Sequence, residues 1–447
     1  MTGFFVSVFL HSMKFPTIQE LYSYFQKSSV ITTDSRHTPV GSIFFALRGD
    51  NFNGNEFAAK ALAQGCGVAV IDEDRYYQGE KYILVKDCLQ TLQELAKYHR
   101  EQFKIPVIGI TGSNGKTTTK ELLKCVLEKK YKVLATKGNL NNHIGVPLTV
   151  LSITSEVEIA IIEMGANHIG EIAMLCEISQ PDFGLITNIG KAHLGEFGDF
   201  EGVIKAKTEL YKYIKTRHGK VFVNADNDLL MLYAKDMEKI TYGKSADVFC
   251  SCKMIEANPY LQVNYEGEII ASNLIGKYNF DNIVAAICIG KHFGVDAKKI
   301  KEAVENYIPS NNRSQIIQTK QNTIILDAYN ANPSSMKAAI ENFYEIQEKN
   351  KWLILGDMLE LGQYSVQEHK NILQLIIEKE FQNIILVGDF FLQAFSEMKI
   401  KAPNILLFKN SDELVNKLKT ESPVINPSWI LIKGSRGIKL EKIIEFL

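Results

Sequence analysis

One segment restricts the possible folds of this chain more than any other, because an apolar stretch runs into a glycine-containing turn and then into a predicted helix. The strand is predicted at residues 107–110 and the helix at residues 120–128. This order of strand, turn and helix is typical of a phosphate-binding loop in a parallel α/β sheet. The residues of the loop are Gly112, Ser113, Asn114, Gly115, Lys116, Thr117 and Thr118.

The residue types in this loop suit a nucleoside triphosphate with its magnesium ion. Glycines let backbone amides approach the phosphates, Lys116 can reach the β and γ oxygens, and the Thr117 hydroxyl can bind Mg²⁺. The loop is a variant, since Ile110 stands where the common pattern has its first glycine and Gly109 comes one residue earlier. An ordinary glycine turn is the alternative, but the adjoining lysine and threonine favour ATP binding.

The length of 447 residues predicts roughly three domains, because one hydrophobic core rarely organises so long a chain. Short strands and a helix in residues 1–87 indicate a small N-terminal α/β domain. Residues 88–308 alternate strands and helices around the phosphate loop, which predicts a central domain with a buried parallel sheet. A further alternation in residues 309–447 predicts a C-terminal, doubly wound, Rossmann-like domain.

Composition excludes several classes of function. The net charge is −1 and no long block of Lys or Arg occurs, so no nucleic-acid partner is expected. The seven cysteines are scattered without metal-binding spacing, which indicates reduced thiols. No apolar run reaches the roughly 20 residues that span a bilayer, and residues 1–12 lack the basic start of a secretion signal, so we expect a cytoplasmic protein. Met13 is an alternative start of the chain.

Polar residues after two further predicted strands are expected to meet the phosphate loop, since ligands bind at the carboxyl edge of parallel sheets. Glu163 follows the strand at 159–162 and offers a carboxylate to Mg²⁺, with a solvated acid as the alternative. His193 follows the strand at 183–186, and a histidine of this kind is more often a packing residue. Lys207, on a predicted helix at 201–214, has by its spacing alone the character of a surface lysine.

From about residue 17 onward the chain resembles the Mur ligase family, and within it the branch that joins D-alanyl-D-alanine to UDP-N-acetylmuramoyl-tripeptide. The resemblance covers all three predicted domains. The motifs that carry it are the phosphate loop, residues 138–147, 163–167, 193–195 and 206–209, the string Asn330-Ala331-Asn332-Pro333, and residues 355–362 and 431–437.

The resemblance implies that CO₂ carbamylates Lys207, and that this modified side chain holds a second Mg²⁺ together with His193. The first Mg²⁺ would be held by Thr117 and Glu163. Asparagines at a helix start are otherwise good caps, but here a nucleotide contact is implied for two of them, with a γ-phosphate contact for an arginine and a ribose contact for an aspartate. These residues are Asn279, Asn282, Arg313 and Asp327.

In the N-terminal domain the resemblance implies that Ser35 and Arg36 bind the UDP end of the substrate, although Asp-Ser-Arg alone would indicate a turn. Asn141 and Asn142 would contact the sugar or the diphosphate. Residues of the C-terminal domain would face the incoming dipeptide, and glycine-rich loops after buried strands are the alternative interpretation there. These dipeptide-side residues are Asn330, Asn332, Asp357, Glu360, Ser435 and Arg436.

The implied reaction transfers the γ-phosphoryl group of ATP to the peptide carboxylate, and the amine of D-alanyl-D-alanine then attacks the acyl phosphate. Lys116, Lys207, His193 and Arg313 would be the catalytic residues, and no nucleophilic triad is visible. We expect a monomer. A sister ligase that adds one amino acid, a folate or cyanophycin type ligase, and a phosphate-loop switch ATPase are the alternatives.

Overall fold

The computed structural model describes residues 15–28, 30–400, 402, 404–420, 425 and 427–447. The expectations about residues 1–12 and about a start at Met13 lie outside these residues. In the part of the chain that the structure describes, no helix is long and apolar enough to cross a membrane.

The N-terminal part of the chain is a small α/β assembly. Its helices and strands, in chain order, are α1 (Ile18–Ser28), β1 (Ile31–Thr32), β2 (Ile43–Phe45), β3 (Arg48–Gly49), β4 (Phe52–Asn53), α2 (Ala58–Ala63), β5 (Val68–Ile71), β6 (Tyr82–Leu84) and α3 (Cys88–Arg100).

The central part contains most of the strands. Its elements are β7 (Val107–Thr111), α4 (Lys116–Leu127), β8 (Val133–Ala135), α5 (Gly145–Val150), β9 (Ile159–Glu163), α6 (Glu171–Ser179), β10 (Phe183–Ile186), α7 (Leu194–Phe197), α8 (Phe200–Thr216), β11 (Lys220–Asn224), α9 (Asp228–Tyr233), β12 (Glu238–Gly243), β13 (Cys250–Ala257), β14 (Tyr260–Tyr265), β15 (Glu268–Ile275), α10 (Phe280–His292) and α11 (Ala297–Asn306).

The C-terminal part again alternates strands with helices. Its elements are β16 (Gln315–Gln318), β17 (Asn322–Asp327), α12 (Pro333–Glu345), β18 (Lys351–Gly356), α13 (Ser365–Glu378), β19 (Asn383–Val387), α14 (Asp389–Met398), β20 (Ile405–Phe408), α15 (Ser411–Thr420) and β21 (Ser428–Lys433).

The chain divides into two compact units. The first contains residues up to Val107 together with Leu134–Met164 and Met174–Pro181, and the second contains Ile108–Val133, Gly165–Ala173 and Asp182–Leu447. In the first unit β1, β2, β5 and β6 form a parallel sheet in that order, and β8 lies beside β9. The predicted domain boundaries near residues 87 and 309 stay predictions.

Two sheets organise the second unit. One contains the strand order β15-β14-β13-β12-β11-β10-β7, in which β7, β10, β11, β12 and β13 are parallel and β13, β14 and β15 are antiparallel. Strands β7, β10 and β11 were predicted, and β12 was missed. The antiparallel strands were not predicted, because their side chains alternate between buried and exposed and so lack the continuous apolar run of a strand buried on both faces.

The other sheet has the order β16-β17-β21-β18-β19-β20 and is parallel except for β16. Both of its faces are covered, since Leu353 and Leu355 of β18 belong to one core cluster and Ile354 between them belongs to another. This arrangement agrees with the predicted doubly wound fold.

The register of β7 and β10 brings two functional loops to the same sheet edge. Ile186, the last residue of β10, pairs with Thr111, the last residue of β7. The phosphate loop therefore leaves the sheet beside the loop that begins at Thr187. Helix α4 begins at Lys116, four residues before the predicted start at residue 120. Its first turn therefore directs backbone amides toward the loop.

Candidate active site

The backbone of the phosphate loop requires glycine at two positions. Gly112 has φ +143° and Gly115 has φ +80°, both in the range that side chains disfavour. A Cβ atom at Gly112 would collide with the Thr187 hydroxyl, and one at Gly115 would collide with the Asn282 carboxamide. The two glycines thus let neighbouring loops approach the phosphate loop directly.

The loop is fixed by contacts with the segment after β10. The Ser113 amide donates to the Asn188 carbonyl at 2.9 Å, and the Ser113 hydroxyl donates to the Gly190 carbonyl at 3.1 Å. Lys116 Nζ donates to the Gly112 carbonyl at 2.6 Å, so the lysine curls over its own loop. Thr117 and Thr118, in the first turn of α4, are buried. Such a preorganised loop suits an anionic ligand.

The predicted adenine-side asparagines form a chain of hydrogen bonds that reaches α4. Asn279 Nδ2 donates to the Ile275 carbonyl and Asn282 Nδ2 donates to Asn279 Oδ1, both at 2.8 Å. The Thr119 hydroxyl in turn donates to Asn282 Oδ1 at 3.0 Å. Asn279 does not cap α10 with its side chain. This network locks α10 to the phosphate-loop helix, and the nucleotide contact of the two asparagines stays a prediction.

His193 and Lys207 lie within electrostatic range of Lys116. Burial first, and then the charges of Lys116 and Lys207, lower the pKa of His193 to about 3, so its imidazole is neutral. Burial and then Lys116 lower the pKa of Lys207 to about 7. Lys207 is only 1% exposed, so it is not the surface lysine that its spacing alone suggested. Titratable groups perturbed in this way are typical of functional sites.

Two carboxylates approach the same nitrogen of His193. Nδ1 lies 2.8 Å from Glu196 Oε2 and 3.0 Å from Glu360 Oε2. Because a neutral imidazole carries one N–H, a carboxylate contact at Nδ1 places the proton there and leaves Nε2 as the free acceptor. Burial and then Glu360 raise the pKa of Glu196 to about 7. Glu360, predicted to face the dipeptide, therefore contacts a candidate metal ligand.

The remaining candidate metal ligand and the two asparagines near it lie in the first unit. Glu163 ends β9, is 1% exposed, and accepts from Asn141 Nδ2 at 2.8 Å. Its backbone amide donates to the Thr136 hydroxyl at 2.9 Å. Asn142 Oδ1 accepts from the amide of Gly145, the first residue of α5, at 2.9 Å. Asn141 is accordingly a partner of Glu163 within this unit.

The predicted UDP contacts Ser35 and Arg36 lie on an exposed turn. Arg36 donates to both carboxylate oxygens of Asp34, at 2.9 and 2.8 Å, and this pairing holds the pKa of Asp34 at about 2. The Arg36 side chain is 83% exposed. A guanidinium in this position can bind a phosphate only by exchanging or sharing its bond to Asp34.

Two predicted arginines converge on one aromatic ring that was not among the predicted site residues. The guanidinium carbon of Arg313 lies 3.7 Å from the centroid of the Tyr329 ring, and that of Arg436 lies 5.5 Å from it. Cation–π contacts of this kind orient a guanidinium while leaving its N–H groups available. The signal that could have identified Tyr329 is its place directly after β17, between Asp327 and Asn330.

Other predicted C-terminal residues are engaged within their own domain. Asp327 Oδ2 lies 2.5 Å from Lys433 Nζ, and its Oδ1 accepts from the Ser314 amide at 3.2 Å. Asn330 Oδ1 accepts from the Ala331 amide at 2.9 Å. The Asp327 side chain is 16% exposed and Asn330 is exposed, so a ribose or dipeptide contact stays a prediction for both.

Asp357 and Ser435 are almost fully buried, each 3% exposed. The carboxylate of Asp357 accepts from the backbone amides of Phe390 and Phe391 at 2.9 and 3.0 Å, at the start of α14. The Ser435 hydroxyl accepts from the Leu359 amide at 2.9 Å. Their dipeptide-side roles stay predictions, and the contacts observed here hold together the loops after β18, β19 and β21.

The side chain of Asn332 contacts the phosphate loop. Its Nδ2 donates to Asn114 Oδ1 in the phosphate loop at 2.8 Å. Beyond the predicted residues, Asn188 and Thr187 hold Asn114 from the other side, and polar residues directly after β10 were the available signal for both. The structure thus brings Lys116, His193, Lys207, Glu360 and Asn332 into one region of the second unit.

A parallel sheet, a phosphate loop at its carboxyl edge and the buried Lys207 beside that loop define a nucleotide-binding α/β protein. Three family models match successive parts of the chain: "Mur ligase family, catalytic domain" at residues 27–100, "Mur ligase middle domain" at 110–290, and "Mur ligase, glutamate ligase domain" at 312–436. These matches agree with the predicted three-domain architecture.

Named relatives cover nearly the whole chain. The UDP-N-acetylmuramoyl-tripeptide--D-alanyl-D-alanine ligase of Bacillus subtilis (strain 168) is 33% identical over 426 residues, which are 93% of this chain and 92% of that protein. The protein of the same name from Escherichia coli (strain K12) is 31% identical over 430 residues, 93% of each chain.

Solved structures agree with these relatives. MurF from Acinetobacter baumannii superposes with a TM-score of 0.83 at 33% identity, covering 96% of this chain and 98% of that one. The MurF ligase of Thermotoga maritima, solved in complex with ADP, gives 0.79 at 26% identity, with 94% and 97% covered. The chain belongs to the Mur ligase family. It is an ATP-using ligase that forms a peptide bond, and both the predicted three-domain α/β fold and the predicted enzyme class are confirmed.

Proposed function

We propose that this chain joins D-alanyl-D-alanine to UDP-N-acetylmuramoyl-tripeptide at the expense of ATP and so makes the pentapeptide precursor of peptidoglycan. The names of the relatives supply the substrates. The motif Asn330-Ala331-Asn332-Pro333 and the loop that contains Glu360 support this branch of the family. The predicted cytoplasmic location and monomeric state belong to the same proposal.

The observation that carries the chemistry is the grouping of Lys116, Lys207 and His193 at the edge of the central sheet. Burial, and after it the charge of Lys116, lowers the pKa of Lys207 to about 7. The site therefore favours anions. A triphosphate at the loop and a carbamate on Lys207 would each supply negative charge where cations now face one another.

The residues fit magnesium and the carbamate. An amine reacts with CO₂ in its uncharged form, and a lowered pKa increases the fraction of Lys207 in that form near neutral pH. Among the described residues, no three or more His, Cys, Asp or Glu side chains form a metal-binding group. A metal here would depend on other oxygens, such as the Thr117 hydroxyl, the triphosphate and a carbamate.

Mg²⁺ held by Thr117, and a second ion held by His193 and carbamylated Lys207, would neutralise charge on the reacting phosphoryl group. The predicted metal contact of Glu163 stays a prediction. Lys116 binds the β and γ oxygens, and Arg313, oriented by Tyr329, approaches the γ-phosphate. The peptide carboxylate attacks the γ-phosphorus and releases ADP. The amine of D-alanyl-D-alanine then attacks the acyl phosphate, and phosphate leaves as the amide forms.

The test follows phosphate release and the peptide product together. Purified protein is incubated with ATP, Mg²⁺ and UDP-N-acetylmuramoyl-tripeptide, with and without D-alanyl-D-alanine. We expect phosphate only when the dipeptide is present, in a one-to-one ratio with a pentapeptide identified by its mass. Single amino acids replace the dipeptide in the control. Phosphate release without an acceptor would indicate a switch ATPase, and a product with one added residue would indicate a sister ligase.

A further inference from the structure

Asn332 is the N-cap of α12, and both ends of its carboxamide are occupied. Oδ1 accepts from the Ser335 amide at 2.9 Å, while the Ser335 hydroxyl lies 3.1 Å from the Asn332 amide, which completes a capping box. The cap requires an acceptor, so the oxygen faces the helix and the orientation of the carboxamide is settled by its own hydrogen bonds. Nδ2 must therefore point away from α12.

The group that receives Nδ2 is the side chain of Asn114 in the phosphate loop, at 2.8 Å. The backbone of Asn114 is held by the segment after β10, since its amide donates to Asn188 Oδ1 at 3.0 Å and its carbonyl accepts from the Thr187 hydroxyl at 2.6 Å. Its side-chain oxygen is held by Asn332. One residue of the phosphate loop thus depends on two parts of the chain that are distant in sequence.

The residues next to Asn332 strengthen this contact. The Lys191 amide donates to the Ser334 hydroxyl at 3.1 Å. A Cβ atom at Gly190 would lie 3.0 Å from that hydroxyl oxygen, so glycine at 190 allows the close approach. The first turn of α12 therefore packs against both the phosphate loop and the loop after β10.

We propose that Asn332 is a positioning residue of the phosphate loop, through which the C-terminal domain sets the Asn114 side chain and favours nucleotide binding. The chemistry explains the choice of residue, because Ser, Thr or Asp would cap α12 equally well but would lack the outward N–H donor. The reciprocal effect follows by linkage: nucleotide on the loop favours docking of α12. This inference rests on the use of ATP by the proposed function and not on the identity of the acceptor.

The first experiment separates the helix cap at Asn332 from the bridge, which is the hydrogen bond from Asn332 Nδ2 to Asn114 Oδ1. Asn332→Asp and Asn332→Ser keep an acceptor for the cap and remove the Nδ2 donor, whereas Ser335→Ala removes a capping-box partner and keeps the bridge. For the two Asn332 variants we expect kcat/KM for ATP to fall about five- to tenfold, as for one lost hydrogen bond, with KM for the dipeptide within twofold. Ser335→Ala should lower the thermal midpoint and leave kcat/KM for ATP within twofold.

Three results would overturn the inference. The first is an unchanged kcat/KM for ATP in both Asn332 variants, and the second is an equal fall of kcat/KM for ATP in Ser335→Ala. The third is a change confined to a higher KM for the dipeptide. The last would assign Asn332 to the dipeptide instead. The Asp variant should lose more than the Ser variant, because its carboxylate would face the Asn114 oxygen and the nearby triphosphate.

A second measurement needs no turnover, so it separates this inference from the proposed ligase reaction. A non-hydrolysable ATP analogue is titrated calorimetrically into the full chain and into a double-mutant cycle of Asn332→Ser and Asn114→Ala. We expect Asn332→Ser to weaken binding about fivefold in the unmodified chain and less than twofold in the Asn114→Ala background, since the shared contact is already absent. Equal losses in both backgrounds would show that Asn332 acts elsewhere.

Discussion

Lys207 and Lys433 are buried to almost the same extent, at 1% and 2% exposure, but their surroundings differ. Lys433 Nζ lies 2.5 Å from Asp327. Lys207 Nζ lies over the Phe197 ring at 5.2 Å, and it forms no ion pair with any residue that the structure describes. Glu171, Glu209 and Glu196 act on Lys207 only at longer range, and the charge of Lys116 repels that of Lys207.

The comparison teaches how to separate a structural from a functional buried charge. Lys433 has its partner in the folded chain and links β17 to β21, whose residues 327 and 433 are neighbours in the sheet. Lys207 lacks such a partner among the described residues, and after burial the largest influence on its pKa is repulsion by Lys116. A buried cation without an anion costs stability. The proposed function would account for a buried lysine at position 207, because substrate or CO₂ would supply the negative charge that the described residues do not.

The largest effect is expected for Lys433→Met, which keeps the volume and removes the charge. Asp327 would then be left as a largely buried carboxylate without its cation, and such losses cost about 3 to 5 kcal/mol. We expect a clear fall in the thermal midpoint of the C-terminal domain, measured by calorimetry. Adding Asp327→Asn should restore much of it, because the unpaired charge is gone. A single variant as stable as the parent would place Lys433 in the same class as Lys207.

Lys207→Ala should leave the fold intact and reduce turnover by about 10²- to 10³-fold, the usual cost of losing one preorganised electrostatic group. Short carboxylic acids should restore part of the rate, because they can occupy the space of a carbamate. Lys207→Met is the matched control, since its side chain fills that space and should resist rescue. Full turnover in both variants would remove the second-metal role of Lys207.

Much of the fold was predictable because its signals are local. Continuous apolar runs identified β7, β9, β10 and the C-terminal parallel strands, and two glycines with Lys116 identified the phosphate loop. The antiparallel strands β13–β15 were missed because only one of their faces is covered. The start of α4 was placed four residues late, since the sequence does not show that Gly115 can precede the helix with φ +80°.

A site residue could be predicted only where its residue type, such as the lysine of a phosphate loop, already indicates a function. Glu163 and His193 follow strands, but so does Asp357, which accepts from two backbone amides inside its own domain. A polar residue at a strand end does not reveal whether its partner is a ligand or a backbone amide. Contacts between distant segments, such as Asn332 with Asn114 or Glu360 with His193, could not be derived from local patterns.

Asp357→Asn tests whether Asp357, like Lys433, has a structural role, and a smaller effect is expected. An asparagine can offer only one oxygen to the amides of Phe390 and Phe391, so one amide loses its acceptor at a cost of about 1 to 3 kcal/mol. We expect a lower thermal midpoint with KM for D-alanyl-D-alanine within twofold of the parent. A raised KM at an unchanged midpoint would instead support the predicted contact with the dipeptide.

His99, in the first unit, represents a third way to bury a basic group. Its Nε2 lies 2.9 Å from the Ile153 carbonyl and must donate to it, so Nδ1 accepts from the Tyr22 hydroxyl at 3.0 Å. Burial lowers the pKa of His99 below its usual 6.5. The fold therefore holds the neutral imidazole, in contrast to Lys433, which is paired with Asp327.

The sign of the resulting pH dependence follows from this lowered pKa. The stabilising contribution of neutral His99 is fully present above pH 6.5, and it decreases as the pH falls from 6.5 toward the pKa in the folded state, by up to about 1.4 kcal/mol per pH unit. Thermal midpoints of the parent and of His99→Gln should therefore converge between pH 7.5 and 5.5, since glutamine does not titrate. A constant difference between the two proteins across this range would show that the pKa of His99 is the same in the folded and unfolded chain. A difference that instead grows as the pH falls would show that His99 gains a proton on folding, and Nδ1 would then donate to the Tyr22 hydroxyl.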